Sequence, residues 1–195
     1  MTNDSLWSGP FGNDYVLRNR NAGANRGPFW QSLIARRNVT SVLEVGCNTG
    51  ANLVHIAPLV PDTAGCDVNN EALFIAHERL GDAVPLYVRS ATNLSFDFQW
   101  DLVLTSGVLI HVSPDDLGKA IDELVRVARR YVLVIEYYAP IETVVPYRGQ
   151  EAALWKRDYG RVVAERHPEL TLIEQGPLGP PEWEDTRNYW MWTKP

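Results

Sequence analysis

The stretch VLEVGCNTGAN, residues 42–52, constrains this chain more than any other, because it joins an apolar strand pattern to a glycine-bearing turn and a helix start. That layout suits a nucleotide-cofactor loop. Glu44 ends the strand, and Gly46 and Gly50 stand where the backbone must turn sharply beside a ligand. The next apolar run, TAGCDV, ends on Asp67, at roughly the 20-residue offset where an acid accepts the hydroxyls of an adenosine ribose.

Apolar strand-like runs then alternate with helical patterns, the signature of a parallel sheet built from βαβ units. The expected strands are SVLEV, TAGCDV, LYVRS, DLVLTS and YVLVIEYY. The clearest helix follows Ser113 as N-cap, with Pro114 at its first position, Asp115 and Asp116 complementing the dipole, and Leu117, Ile121, Leu124, Val125 and Ala128 on one face. A second helix is expected from about Asn70 to Leu80, stopped by Gly81. Residues 169–175 and 188–193 read as two strands joined by a Gly/Pro-rich loop, an antiparallel hairpin whose last strand runs against the others. The fold class is therefore α/β: one Rossmann-like domain with a seven-stranded mixed sheet, helices on both faces and a C-terminal hairpin. Residues 1–40 are expected as a leader packed on the domain of residues 41–195.

A net charge of −6 with no basic stripe disfavours nucleic acid as a partner. No apolar run is long enough to span a bilayer, and the beginning MTNDSLWSGPFGNDY does not read as a secretory signal, so a cytoplasmic location is expected. The only two cysteines, Cys47 and Cys66, fall at the ends of neighbouring strands without metal-ligand spacing and are expected to pack as small apolar groups.

The loop alone leaves two cofactors open. An NAD loop reads G-x-G-x-x-G, and here Asn48 stands where the middle glycine would be, although asparagine tolerates the left-handed backbone. The remainder of the chain separates them. In WDLVLTSGVLIHVSP an acid precedes the fourth strand, and Ser106 and Gly107 turn directly after it, ahead of His111 and the capped helix.

That ordered set resembles the class I S-adenosylmethionine-dependent methyltransferases from residue 42 onward. The resemblance implies S-adenosylmethionine as cofactor and S-adenosylhomocysteine as product. It places Glu44, Gly46, Cys47, Asn48 and Gly50 along the methionine part, Asp67 and Val68 at the ribose, Ser90, Ala91 and Thr92 beside adenine, and Ser106, Gly107 and Val108 at the methyl group. The leader LWSGPFGNDYVLRN, the runs GCNTGANL, GCDVNNEAL and TSGVLIHVSPDDL, and the stretch IEYYAPIETVVPYRGQEAALWKRDYG are also similar to the small methylases associated with pseudaminic-acid biosynthesis. The expected acceptor is a small polar molecule, with a sugar acid or nucleotide sugar among the choices. A non-catalytic cofactor-binding module is the main alternative, and an NAD enzyme the third.

Methyl transfer from a sulfonium asks mainly for alignment, exclusion of water and, for a hydroxyl or ammonium acceptor, a base. No carboxylate cluster suits a divalent cation, so a metal-independent reaction is expected. His111 is the candidate base, with a scaffolding role as the alternative. Tyr137 and Tyr138, ending the fifth strand, are preferred as acceptor contacts over Glu136 as a base. Tyr147, Arg148, Lys156 and Arg157 suit an anionic sugar, against the alternative of solvated charges on a surface helix. Trp7, Phe11 and Tyr15 fit a lid over the methionine end, with Arg18 or Asn19 meeting its carboxylate, and Trp190 and Trp192 fit one packed face of the hairpin.

Overall fold

The computed structural model describes residues 4–150 and 153–195, so residues 151 and 152 of the YRGQEAALWKRDYG stretch lie outside the described residues. Before the sheet come three helices, α1 (Asp4–Trp7), α2 (Pro10–Asn19) and α3 (Gly27–Ala35). They are followed by β1 (Ser41–Val45), α4 (Leu53–Ile56), β2 (Asp62–Asp67), α5 (Asn70–Leu80), β3 (Leu86–Val88), β4 (Trp100–Ser106), α6 (Pro114–Val127) and β5 (Ala128–Glu136). A small ribbon of β6 (Thr143–Val144) and β7 (Trp155–Lys156) precedes α7 (Tyr159–Arg166), and the hairpin β8 (Thr171–Leu178) and β9 (Arg187–Thr193) closes the fold.

The main sheet has the order β3-β2-β1-β4-β5-β9-β8. Its first five strands are parallel, and β9 enters antiparallel between β5 and β8, so the last strand alone runs against the rest. Strand β1 is buried along its whole length, as expected for a central parallel strand covered on both faces. On one face α6 packs Leu117, Ile121 and Leu124 against Val103, Val134 and Trp192. On the other, Trp30, Leu33 and Ile34 of α3 meet Val42, Leu102 and Leu133. Trp190 and Trp192 share the packed face that their alternation predicts.

At four points the structure adds to or departs from the sequence reading. The leader is helical, and the signal was the pair of prolines at helix starts, Pro10 and Pro28, whose fixed φ suits a first turn. Ser113 stands at the N-cap of α6, but its hydroxyl donates to Asp116 Oδ2 at 2.8 Å and caps no backbone N–H. Helix α7 was not foreseen. The segment carrying Lys156 and Arg157 is ribbon rather than surface helix, and Arg157 is fully buried with its Nε donating to Glu142 Oε2 at 2.5 Å. Among the described residues no helix is long and apolar enough to cross a membrane.

Candidate active site

The carboxyl ends of β1, β2 and β4 open onto one cavity, with about 870 Å³ of empty space including its mouth. Open α/β sheets place ligands at this edge because the loops diverge there. Its walls include Gly46, Asn48, Asp67, Val68, Ala91, Thr92, Ser106, Gly107, Val108 and His111, ten of the residues singled out from the sequence. Tyr15 closes it from α2, together with Trp7, Gly12 and Val16.

Local backbone explains the shape. Gly46 and Asn48 both take left-handed conformations, with φ of 72° and 48°, so asparagine occupies the turn that a second glycine would otherwise fill. The turn is tied to the neighbouring strand: the Gly46 and Cys47 N–H groups donate to the Cys66 carbonyl, and the Asn48 N–H donates to Asp67 Oδ2 at 2.9 Å. Asp67 Oδ1 accepts the Asn69 N–H, also at 2.9 Å. Burial raises the Asp67 pKa, opposed by the Asn69 and Asn48 backbone donors. No cation pairs with this carboxylate among the described residues, which leaves it suited to neutral hydroxyl donors.

At the other end lie Ser106, Gly107 and Val108, held by Glu136 beneath them. Glu136 Oε1 accepts the Val108 and Leu109 N–H groups at 2.8 and 2.7 Å. Its Oε2 is buried without a hydrogen-bond partner, and burial lifts the carboxyl to about 7, opposed by Arg187 and those N–H donors. His111 Nδ1 lies 2.8 Å from the Ala153 carbonyl oxygen, an acceptor only, so Nδ1 carries the proton and Nε2 is the basic nitrogen. Burial holds the ring's pKa down at about 4, against the Ala153 hydrogen bond and with Arg187 adding to the depression. An aromatic cover surrounds it: the His111 ring centroid is 4.1 Å from Trp7, 6.3 Å from Tyr15 and 6.1 Å from Tyr147. Phe11 packs edge-on against Trp7.

Other singled-out residues lie off the cavity wall. Glu44 is buried and accepts from Asn52 Nδ2 at 2.6 Å, Asn52 Oδ1 accepts from Arg26, and Arg26 pairs with Glu184 at 2.5 Å. Desolvation lifts Glu44 to about 8, against the Asn52 hydrogen bond and the Arg26 charge. It therefore joins the turn to the start of α3, off the cavity wall. Cys47 and Cys66 are free, buried thiols, and Cys47 packs with Leu53, Leu73 and Val84. Gly50 sits under Leu80, and the Ser90 hydroxyl bonds that of Thr92 at 2.9 Å. Arg18 is exposed and lines a separate shallow groove with Glu184.

On the acceptor side, the Tyr137 hydroxyl donates to Asp185 and Tyr138 is 46% exposed. Tyr147 reaches the aromatic cover, and Arg148 stacks over its ring at 5.9 Å. Lys156 lies against the Tyr137 ring, whereas Arg157 is turned inward to Glu142 and Tyr159. Sequence reasoning missed Arg187, which approaches Gly107 from β9, and Asn69 and Arg89 on the cavity wall. Nothing in the pattern of one strand marks the first as a site residue, because it acts across the sheet.

A Rossmann-like sheet finished by a β5-β9-β8 hairpin, with an acid at the end of β2 and a turn after β4 facing one cavity, defines the class I S-adenosylmethionine-dependent methyltransferase fold. Residues 42–130 match the family described as "Methyltransferase domain". A comparison with curated proteins found no match. Solved structures agree on the fold. Magnesium protoporphyrin IX methyltransferase from Synechocystis PCC 6803, with bound S-adenosylhomocysteine, superposes with a TM-score of 0.73 at 13% identity, covering 98% of each chain. N-methyltransferase NodS from Bradyrhizobium japonicum WM9, also with S-adenosylhomocysteine, gives 0.71 at 15% identity over 94% of this chain and 98% of that one. The sugar N-methyltransferase KedS8 from Streptoalloteichus sp ATCC 53650 gives 0.68 at 15% identity over 93% and 92%.

The residues present fit S-adenosylmethionine. Asp67 lines the cavity with a carboxylate that has no cation partner among the described residues and keeps lone pairs for hydroxyl donors, and two buried polar atoms near the opposite end, Ser106 Oγ and Trp7 Nε1, have no hydrogen-bond partner among those residues.

Proposed function

We propose that the chain transfers a methyl group from S-adenosylmethionine to an oxygen or nitrogen of a small polar acceptor without a metal, a sugar acid or nucleotide sugar being the first class to test. The observation that carries this reading is the meeting of Asp67 and the Ser106–Gly107–Val108 turn in one cavity, with His111 beside the turn. In this reading Asp67 holds the ribose hydroxyls, Val68, Ala91 and Thr92 flank adenine, and Tyr15, Gly46 and Asn48 contain the methionine end. Bound S-adenosylmethionine supplies a methyl group on a positively charged sulfur, a leaving group already activated.

The protein's part is then positioning, drying and proton removal. Trp7, Phe11, Tyr15 and Tyr147 exclude water from the transfer end. His111 Nε2 takes the proton of the acceptor hydroxyl or ammonium, and its low pKa keeps it in the basic form near neutral pH. Among the described residues no three His, Cys, Asp or Glu side chains converge as metal ligands. The solved relatives include enzymes named for a porphyrin, a sugar and 1,6-didemethyltoxoflavin, so small-molecule acceptors of varied shape are compatible with the fold.

Thermal-shift measurements with S-adenosylhomocysteine and with NAD test the cofactor. Stabilisation by S-adenosylhomocysteine is expected, and stabilisation by NAD alone overturns the reading. A mass-shift screen of acceptors with isotopically labelled cofactor tests the transfer. Binding without any transfer across sugar acids and nucleotide sugars favours a non-catalytic binding module.

A further inference from the structure

The antiparallel ladder between β5 and β9 ends with Glu136 opposite Asn188, and the next residues outward are Tyr137 and Arg187. There the Arg187 guanidinium carbon lies 5.0 Å from the Tyr137 ring centroid, and Lys156 Nζ lies 5.3 Å from the same ring. Both cations therefore converge on one aromatic side chain, whose hydroxyl is anchored to Asp185. Arg187 also touches the transfer end of the cavity. A Cβ added at Gly107 would come 2.8 Å from Arg187 Nη1, so the absence of a side chain at Gly107 is what lets the guanidinium lie against that turn.

Neither cation is held in an ion pair. Among the described residues Arg187 and Lys156 have no carboxylate oxygen within 4.0 Å and donate no side-chain hydrogen bond, and Arg187 Nε is buried without a partner. The two fully buried arginines behave differently: Arg26 is paired with Glu184 and Arg157 with Glu142. The buried Glu136 feels the Arg187 charge, but its Oε1 accepts the Val108 and Leu109 N–H groups and it makes no ion pair with Arg187. Asp185 accepts from Tyr137. A partly desolvated guanidinium without a hydrogen-bonded anion is costly, and its planar fork matches a carboxylate or phosphate.

We propose that Arg187 and Lys156, seated on Tyr137 beside Gly107, form a subsite for an anionic group of the acceptor, which makes the substrate a carboxylic acid or a phosphate ester rather than a neutral molecule. The inference rests on the methyltransferase reading and gives its acceptor a charge. Arg187 supplies two parallel N–H donors to the anion and Lys156 a point charge, so Arg187 is the stronger determinant.

Calorimetry on the full chain saturated with S-adenosylhomocysteine, at constant ionic strength, tests this with glucuronate, glucose 6-phosphate and glucose as probes. Either anion is expected to bind roughly ten- to a hundredfold tighter than glucose, and the preferred one tells carboxylate from phosphate. Arg187→Gln should erase that preference while S-adenosylhomocysteine affinity stays within about threefold, Arg187→Lys should restore part of it, and Lys156→Gln should weaken it. Equal affinity for charged and neutral probes, or a preference that survives Arg187→Gln, overturns the proposal. Failure of the wild-type chain to bind S-adenosylhomocysteine at all would instead overturn the methyltransferase reading beneath it.

Discussion

The Asn69 side-chain amide donates to the Trp7 main-chain carbonyl at 2.8 Å, so the residue two places after Asp67 holds down the helix that covers the cavity. The same amide donates to Asn13 Oδ1 at 2.9 Å, and Asn69 Oδ1 accepts the Ala72 N–H at 3.0 Å. One side chain therefore caps α5 and fastens both α1 and α2. Asp67 accepts the Asn69 N–H, so the acid and the latch share a turn. Whatever settles Asp67 also settles the cover that Trp7 places on His111.

Asn69→Asp separates the two roles. Aspartate keeps the oxygen that caps α5 but has no amide to donate, and its charge opposes the Trp7 carbonyl. Hydrogen exchange across α1 and α2 should rise about tenfold while α5 keeps its protection, and S-adenosylhomocysteine affinity should fall roughly three- to tenfold. Unchanged exchange over residues 4–19 would show that the cover is held by aromatic packing alone.

Asp67→Asn leaves one carbonyl oxygen for the backbone donors and removes the charge that two ribose hydroxyls would meet. Binding of S-adenosylhomocysteine should weaken about ten- to a hundredfold, the range for hydrogen bonds to a charged group. The thermal midpoint without ligand should also fall, because the Asn48 and Asn69 N–H groups use different carboxylate oxygens and one of them is left facing an amide NH2. A calorimetric affinity equal to wild type rejects the ribose role.

The parallel sheet, the hairpin and most of the cavity wall were legible because they rest on local patterns. Val42, Leu43 and Val45 announce a buried strand, Gly46 and Asn48 a turn, and Asp67 the end of the next strand. What was hidden arises between distant segments. Glu44 reads in the sequence as a strand-end acid beside the methionine part, yet its partner is Asn52 and, through it, Arg26 and Glu184, more than a hundred residues on. Arg157 reads in the sequence as an anion contact or a solvated charge, but Glu142 and the fold of the ribbon draw it inside. Arg187 reaches the site only because β9 returns to lie against β5, a strand order that local periodicity does not encode.

His111 gives a pH test of its role. With its pKa near 4, the basic form is already dominant well below neutrality, so the acid limb of kcat should fall near pH 4 and not near the ordinary histidine value. His111→Asn should lower kcat by about a hundred- to ten-thousandfold with little change in S-adenosylhomocysteine affinity. A matching loss of cofactor affinity and thermal stability would assign His111 to holding Trp7 in place.

Glu136 links stability to pH. Its ordinary value is 4.5 and its folded value about 7, so the folded chain binds the proton more tightly than the unfolded one. The stabilisation is complete below pH 4.5, declines as the unfolded carboxyl ionises, and is lost once pH passes 7. Glutamine keeps an acceptor for the Val108 and Leu109 N–H groups and never ionises. Glu136→Gln should therefore raise the thermal midpoint by about 2–6 °C at pH 8 and change it little at pH 4.5. Differential scanning calorimetry at the two pH values checks this. An equal shift at both would mean that packing, and not the buried charge, separates the variants. If kcat falls in Glu136→Gln while cofactor affinity and stability hold, the carboxylate positions the Ser106–Gly107–Val108 turn for transfer, because the acceptor side is the part of the site that this turn and Arg187 share.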